Sequence, residues 1–122
     1  MNRIVEAVKE GMEIETKVLF SVVNDFCLTR LRVKTSDGDS IVSMQVNKCE
    51  EYENEYEFSL SCIGFDDVSY HLKKDDIISA EGEFNTDADT LYITCKLKNE
   101  LTVYLMIINV SGSENRTDEY DE

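Results

Sequence analysis

Apolar residues recur at every second position in stretch after stretch of this chain. A period of two belongs to the β-strand, whose successive side chains point to opposite faces. The pattern is sharpest after Asn24-Asp25. Cys27, Thr29, Leu31, Val33 and Thr35 share one parity, while Phe26, Leu28, Arg30, Arg32 and Lys34 share the other. A strand here has one apolar face and one face carrying an aromatic and three cations. Ser36-Asp37-Gly38-Asp39 supplies turn chemistry, and Val42, Met44 and Val46 resume the alternation, which predicts a hairpin with a basic face.

The same period predicts strands elsewhere. Met12, Ile14, Val18, Phe20 and Val22 form a long first strand, and Tyr56, Phe58, Leu60 and Cys62 form another, ended by Gly64. Ile78, Ala80, Gly82 and Phe84 follow, with Gly82 placed for a bulge or sharp bend. Leu91, Ile93, Cys95 and Leu97 face inward while Tyr92, Thr94, Lys96 and Lys98 face outward, and Leu101, Val103, Leu105 and Ile107 close the series. Ahead of them a short helix spans residues 2–10, capped by Asn2 and ended at Gly11. Asn47 to Glu55 reads as an acidic loop. Asp66 to Leu72 fits either a helical turn or a short strand, with the helix preferred. The expectation is one all-β domain over residues 1–110, a small barrel with one or two short helices, and an acidic disordered tail over 111–122.

Charge and composition narrow the function. The net charge is −14, which repels phosphates and anionic membranes and favours basic protein partners. The first segment interleaves Arg3, Glu6, Lys9 and Glu10 with its apolar residues, unlike an export signal, and no apolar run is long enough to span a bilayer. A soluble intracellular protein, cytoplasmic or nuclear and not secreted, is expected, with its oligomeric state open. Cys27, Cys49, Cys62 and Cys95 contain no Cys-x-x-Cys pair and His71 is the sole histidine, so no structural metal and no cofactor is expected. Cys27, Cys62 and Cys95 fall on apolar parities and read as buried thiols. No nucleophile–base pair or Gly-rich phosphate loop stands out, so a non-enzymatic role is expected.

Residues Gly11 to Val23, Phe26 to Val33 with Ser36-Asp37-Gly38, Leu72 to Phe84, and Cys95-Lys96-Leu97-Lys98-Asn99-Glu100-Leu101-Thr102 together resemble an oligonucleotide- and oligosaccharide-binding fold. That fold is a small Greek-key barrel. Leu72 to Phe84 with Cys95 to Thr102 is similar to the fourth and fifth strands of the DNA-binding domains in the large subunit of replication protein A. The resemblance implies single-stranded DNA binding, or a subunit of a complex that binds it. It places Phe26, Arg30, Arg32 and Lys34 on the binding face, and Tyr92, Lys96 and Lys98 on the closing hairpin.

Two functional readings stand. In the first, the chain is a binding module in which Arg30, Arg32, Lys34, Lys96 and Lys98 capture phosphates while Phe26, Tyr92 or Tyr104 stack on bases. In the second, it is a small acidic inhibitor whose carboxylates imitate nucleic acid in the basic groove of another protein. A plainer alternative pairs the cationic stripe with acidic neighbours such as Glu13 or Glu15 across strands.

Overall fold

A computed structural model describes residues 2–38, 40–61 and 68–114, with the side chains of residues 40–43 left aside. Seven strands form one antiparallel sheet: β1 (Thr29–Lys34), β2 (Ser40–Glu51), β3 (Glu55–Ser61), β4 (Val68–Lys73), β5 (Ile77–Asn85), β6 (Thr90–Leu97) and β7 (Thr102–Ile107). Their order across the sheet is β4-β3-β2-β1-β7-β6-β5. β1 is therefore central, paired with β2 on one side and β7 on the other.

The sheet curls strongly. Tyr70 of β4 and Cys95 of β6 lie within electrostatic reach of each other, although five strand spacings would separate them by ~24 Å in a flat sheet. The curl stops short of a closed barrel, because β4 and β5 are the two ends of the sheet and are not hydrogen-bonded to each other. All ladders are antiparallel and most neighbours are sequence-consecutive hairpins.

Three helices accompany the sheet: α1 (Arg3–Lys9), α2 (Thr16–Ser21), which runs into a 3-10 turn (Val22–Asp25), and α3 (Val110–Ser113). Asn2 caps α1 by accepting from the backbone N–H of Ile4 and Val5, and Gly11 follows it with φ of +76°. α1 and α2 pack on β5, and α2 with the 3-10 turn packs on β2. Phe20 enters the core and meets Tyr56 and Phe58 edge to face, at 4.8 and 5.5 Å between ring centroids.

Several expectations need correcting. Residues 12–22 contain no strand: Leu19, Phe20, Val22 and Val23 are buried together, a grouping that only a helical turn presents to one side. Gly82 lies in regular pairing with Ile93, and the bulge of β5 falls between Ile77 and Ser79. Residues 68–72 belong to an edge strand, and the supposed loop after Val46 is mostly strand, since β2 continues to Glu51. Finally, the chain stays packed to Glu114. Val110 and Ser113 are buried, the Cys27 N–H donates to the Ser113 carbonyl, and Phe26 bridges Glu114. Residues 115–122 and Cys62 lie outside the described residues. Among the other thiols, Cys49 and Cys95 are buried but Cys27 is exposed, contrary to its strand parity.

Candidate nucleic-acid interface

Strand register decides which polar side chains meet. With Thr29, Leu31 and Val33 buried, alternation turns Arg30, Arg32 and Lys34 to the outer face of β1. On β7 they lie beside Met106, Tyr104 and Thr102 respectively. Those three in turn lie beside Tyr92, Thr94 and Lys96 on β6. The result is a three-by-three grid with rows Arg30-Met106-Tyr92, Arg32-Tyr104-Thr94 and Lys34-Thr102-Lys96. Ideal spacings make it ~10 Å across and ~14 Å along the strands.

Six of the eight residues singled out from sequence meet on this grid. It holds four cations and two tyrosines and no carboxylate, in a chain where 26 acidic residues face 12 basic ones. Lys34 places its ammonium 5.2 Å from the centroid of the Tyr104 ring, a cation–π contact. The buried Nε of Arg32 has no hydrogen-bond partner among the described residues.

The other two residues lie elsewhere. Phe26 is 3% exposed and sits in the core. β1 begins only at Thr29, so the parity that placed Phe26 outward does not extend to it. Lys98 is exposed in the turn after β6, where its N–H donates to the Asp76 carbonyl. Glu13 and Glu15 precede α2 and are not cross-strand neighbours of the arginines, whose partners are β2 and β7. Thr94, Thr102 and Met106 complete the surface and were identifiable only once the β1–β7 pairing was known.

Carboxylates rim the grid on its β5 side. Glu81 and Glu83 of β5 face Thr94 and Tyr92. On the other side Gln45, Ser43 and Ser40 of β2 stand in register with Arg30, Arg32 and Lys34, and the row Glu50-Glu57-His71 lies farther along β2 to β4, past the end of β1. Like charges directly opposite destabilise a sheet, and this row has its own compensations. Lys48 bridges Glu50 at 2.6 Å, Lys74 bridges Glu51 at 2.8 Å, and His71 bonds Glu55 and lies 3.5 Å from Glu57. The Glu50 hydrogen bond, ahead of burial, pushes the Tyr52 hydroxyl up to about 12. The Glu55 hydrogen bond raises the His71 imidazole above its ordinary 6.5. No cluster of three His, Cys, Asp or Glu able to hold a metal occurs among the described residues. No helix among them is long and apolar enough to cross a membrane.

Comparison with protein-family models, with curated proteins and with solved structures gave no match.

Proposed function

We propose that this protein is a non-enzymatic binding module that holds single-stranded nucleic acid across the β1-β7-β6 face, directly or as the subunit of a larger complex. The observation carrying this reading is the carboxylate-free grid of Arg30, Arg32, Lys34 and Lys96 interleaved with Tyr92 and Tyr104. Phosphates would be held by the cations, and bases would stack on the tyrosines, each worth about 1–3 kcal/mol per base. A sheet curled into an incomplete barrel offers the same kind of surface as the small Greek-key barrels that the sequence resembles. Glu81 and Glu83 bound the strip on the β5 side, where a straying phosphate meets carboxylates.

The test is a titration with fluorescent single-stranded DNA of about twenty nucleotides at low salt, where phosphate-driven binding is strongest. Saturable binding that weakens as salt rises is expected. The double variant Arg30→Ala, Arg32→Ala should flatten the salt slope by roughly one for every phosphate that is no longer neutralised. Absent binding, or a variant indistinguishable from the parent, sinks this assignment.

The acidic band on β2–β4 favours a second reading, an inhibitor that presents Glu50, Glu51, Glu53, Glu55 and Glu57 to a basic protein groove. Its weakness is that the four cations on the outer face of β1 and β6 interrupt the acidic surface, whereas a nucleic-acid mimic needs a continuous acidic face. Glu50, Glu51 and Glu55 are also already engaged by Lys48, Lys74 and His71.

A further inference from the structure

β5 ends the sheet, so one side of its nine-residue backbone has no strand partner among the described residues. Long free edges are usually blunted by lysine, proline or a covering segment. Here the edge carries neither lysine nor proline, and Ile78 stands 64% exposed. A cleft of about 430 Å³ runs beside it, within the range of ligand-sized sites. Ser79, Ala80, Glu81 and Gly82 line one wall, and Gly11 to Ile14 line the other, with Val8 and Leu19 between them. Ser79 and Glu81 belong to one face of β5 and Ala80 and Gly82 to the opposite face. The cleft therefore follows the strand's edge and does not lie over a face. The facing segment is also extended, and among the described residues no backbone hydrogen bond joins Glu13 or Ile14 to another element.

We propose that this cleft takes an extended cationic peptide segment of a partner protein, added as an eighth strand on the β5 edge. Main-chain hydrogen bonds to β5 would supply affinity and alternate side chains selectivity, as in other strand additions. The chemistry of the occupant follows from the walls. Glu13 and Glu81 line the cleft with no cation among the lining residues, and on its flanks Glu10, Glu15 and Glu83 outnumber Lys9 and Lys17. Met12, 58% exposed, and Ile78 offer apolar contacts at its mouth. A peptide alternating cationic and apolar residues matches both. A second copy matches less well: antiparallel β5–β5 pairing brings Glu81 and Glu83 of one copy against those of the other, and each copy carries −14. This surface does not depend on the proposed grid, which lies on a different part of the sheet.

The probe is a fluorescein-labelled peptide of about ten residues alternating lysine and valine, long enough to pair the strand. A matched peptide N-methylated at every second residue keeps the charge but cannot complete a ladder. Binding by fluorescence anisotropy should weaken at least roughly tenfold on N-methylation, and amide exchange should slow across Ile78 to Phe84 when the unmodified peptide binds. Glu13→Lys, remote from the grid, should weaken binding while leaving the fold intact by circular dichroism. Equal binding of the two peptides would mean charge attraction alone and would overturn the proposal, as would protection confined to β2–β4 or no binding. Concentration-dependent self-association that protects the same amides without peptide would overturn it in favour of a second copy.

Discussion

Lys34 on β1 reaches diagonally across to β7 and lays its ammonium over the ring of Tyr104, which itself lies opposite Arg32. One tyrosine thus lies beside two cations. At this exposure the cation–π contact is worth about 0.5–1 kcal/mol, so Tyr104 matters less to stability than to ligand binding. Tyr104→Leu should lower affinity for single-stranded DNA by about 1–3 kcal/mol with the fold intact, whereas Tyr104→Phe, which retains the ring, should bind like the parent. Equal weakening in both variants would point to the hydroxyl and remove stacking from the mechanism.

Gly82 marks the place where both N-terminal helices touch β5. A Cβ added there would lie 3.1 Å from Leu19 Cδ1 and 3.1 Å from Val8 Cγ2. A methyl group asks those side chains to give by a few tenths of an ångström. Two further methyls ask for a displaced helix, and overpacking of that kind costs about 1–3 kcal/mol. Gly82→Val should lower stability by that amount in chemical denaturation. Combining it with Val8→Ala should cost less than the sum of the two single substitutions, because the smaller residue vacates the contested space.

How far the sequence can be read depends on whether adjacent residues differ in polarity. β1, β6 and β7 are legible because Leu31, Val33, Ile93, Cys95 and Val103 each stand between polar or aromatic neighbours, and that fixes both the strand and its outer face. The N-terminal segment is not. Leu19-Phe20 and Val22-Val23 are adjacent apolar pairs, and a period-two reading takes one member of each and ignores the other. The pairs are buried together because α2 and the 3-10 turn sit inside the curl of the sheet, a tertiary demand that local alternation cannot express. Residues 68–72 satisfy both periods, and the free edge of β3 settled them as strand. Phe26 shows the opposite failure, a parity carried past the point where the strand begins. The β1–β7 contact, which creates the grid, joins residues about 70 apart and has no local signal.

His71 sits on the β4 edge with Glu55 and Glu57 before it. Its pKa is raised, first by the hydrogen bond to Glu55, with attraction to both carboxylates opposing the effect of burial. For a group whose folded pKa exceeds the unfolded one, the stabilisation is fully present below the unfolded value, and it is lost as pH rises through the folded value. The stability advantage of the parent over His71→Gln should therefore be largest below about pH 6.5 and shrink as pH climbs above it. The imidazole resonances in an NMR titration should report a midpoint above the ordinary value. A difference between parent and variant that does not change with pH would show that His71 draws no stability from the two carboxylates on folding.

Asn24 supplies what β1 does not reach. β1 pairs with β2 only as far as Thr29 opposite Val46, and β2 continues beyond a bulge to Glu51. At Cys49 the edge would be bare on that side. The Asn24 side chain fills the gap, donating from Nδ2 to the Cys49 carbonyl and accepting at Oδ1 from the Cys49 N–H, both at 2.9 Å. One amide therefore imitates a residue of the missing strand and ties the 3-10 turn, with buried Val22 and Val23, to the sheet. Asn24→Ala leaves both backbone groups of a buried residue without this partner and should cost about 1–3 kcal/mol. Asn24→Asp should be at least as damaging at neutral pH, because an ionised carboxylate can only accept and would confront the Cys49 carbonyl. Protonation restores a donor, so the gap between Asn24→Asp and the parent in urea denaturation should narrow below about pH 4 while the gap for Asn24→Ala stays open. If both gaps move together with pH, the two hydrogen bonds are not what holds the turn to β2.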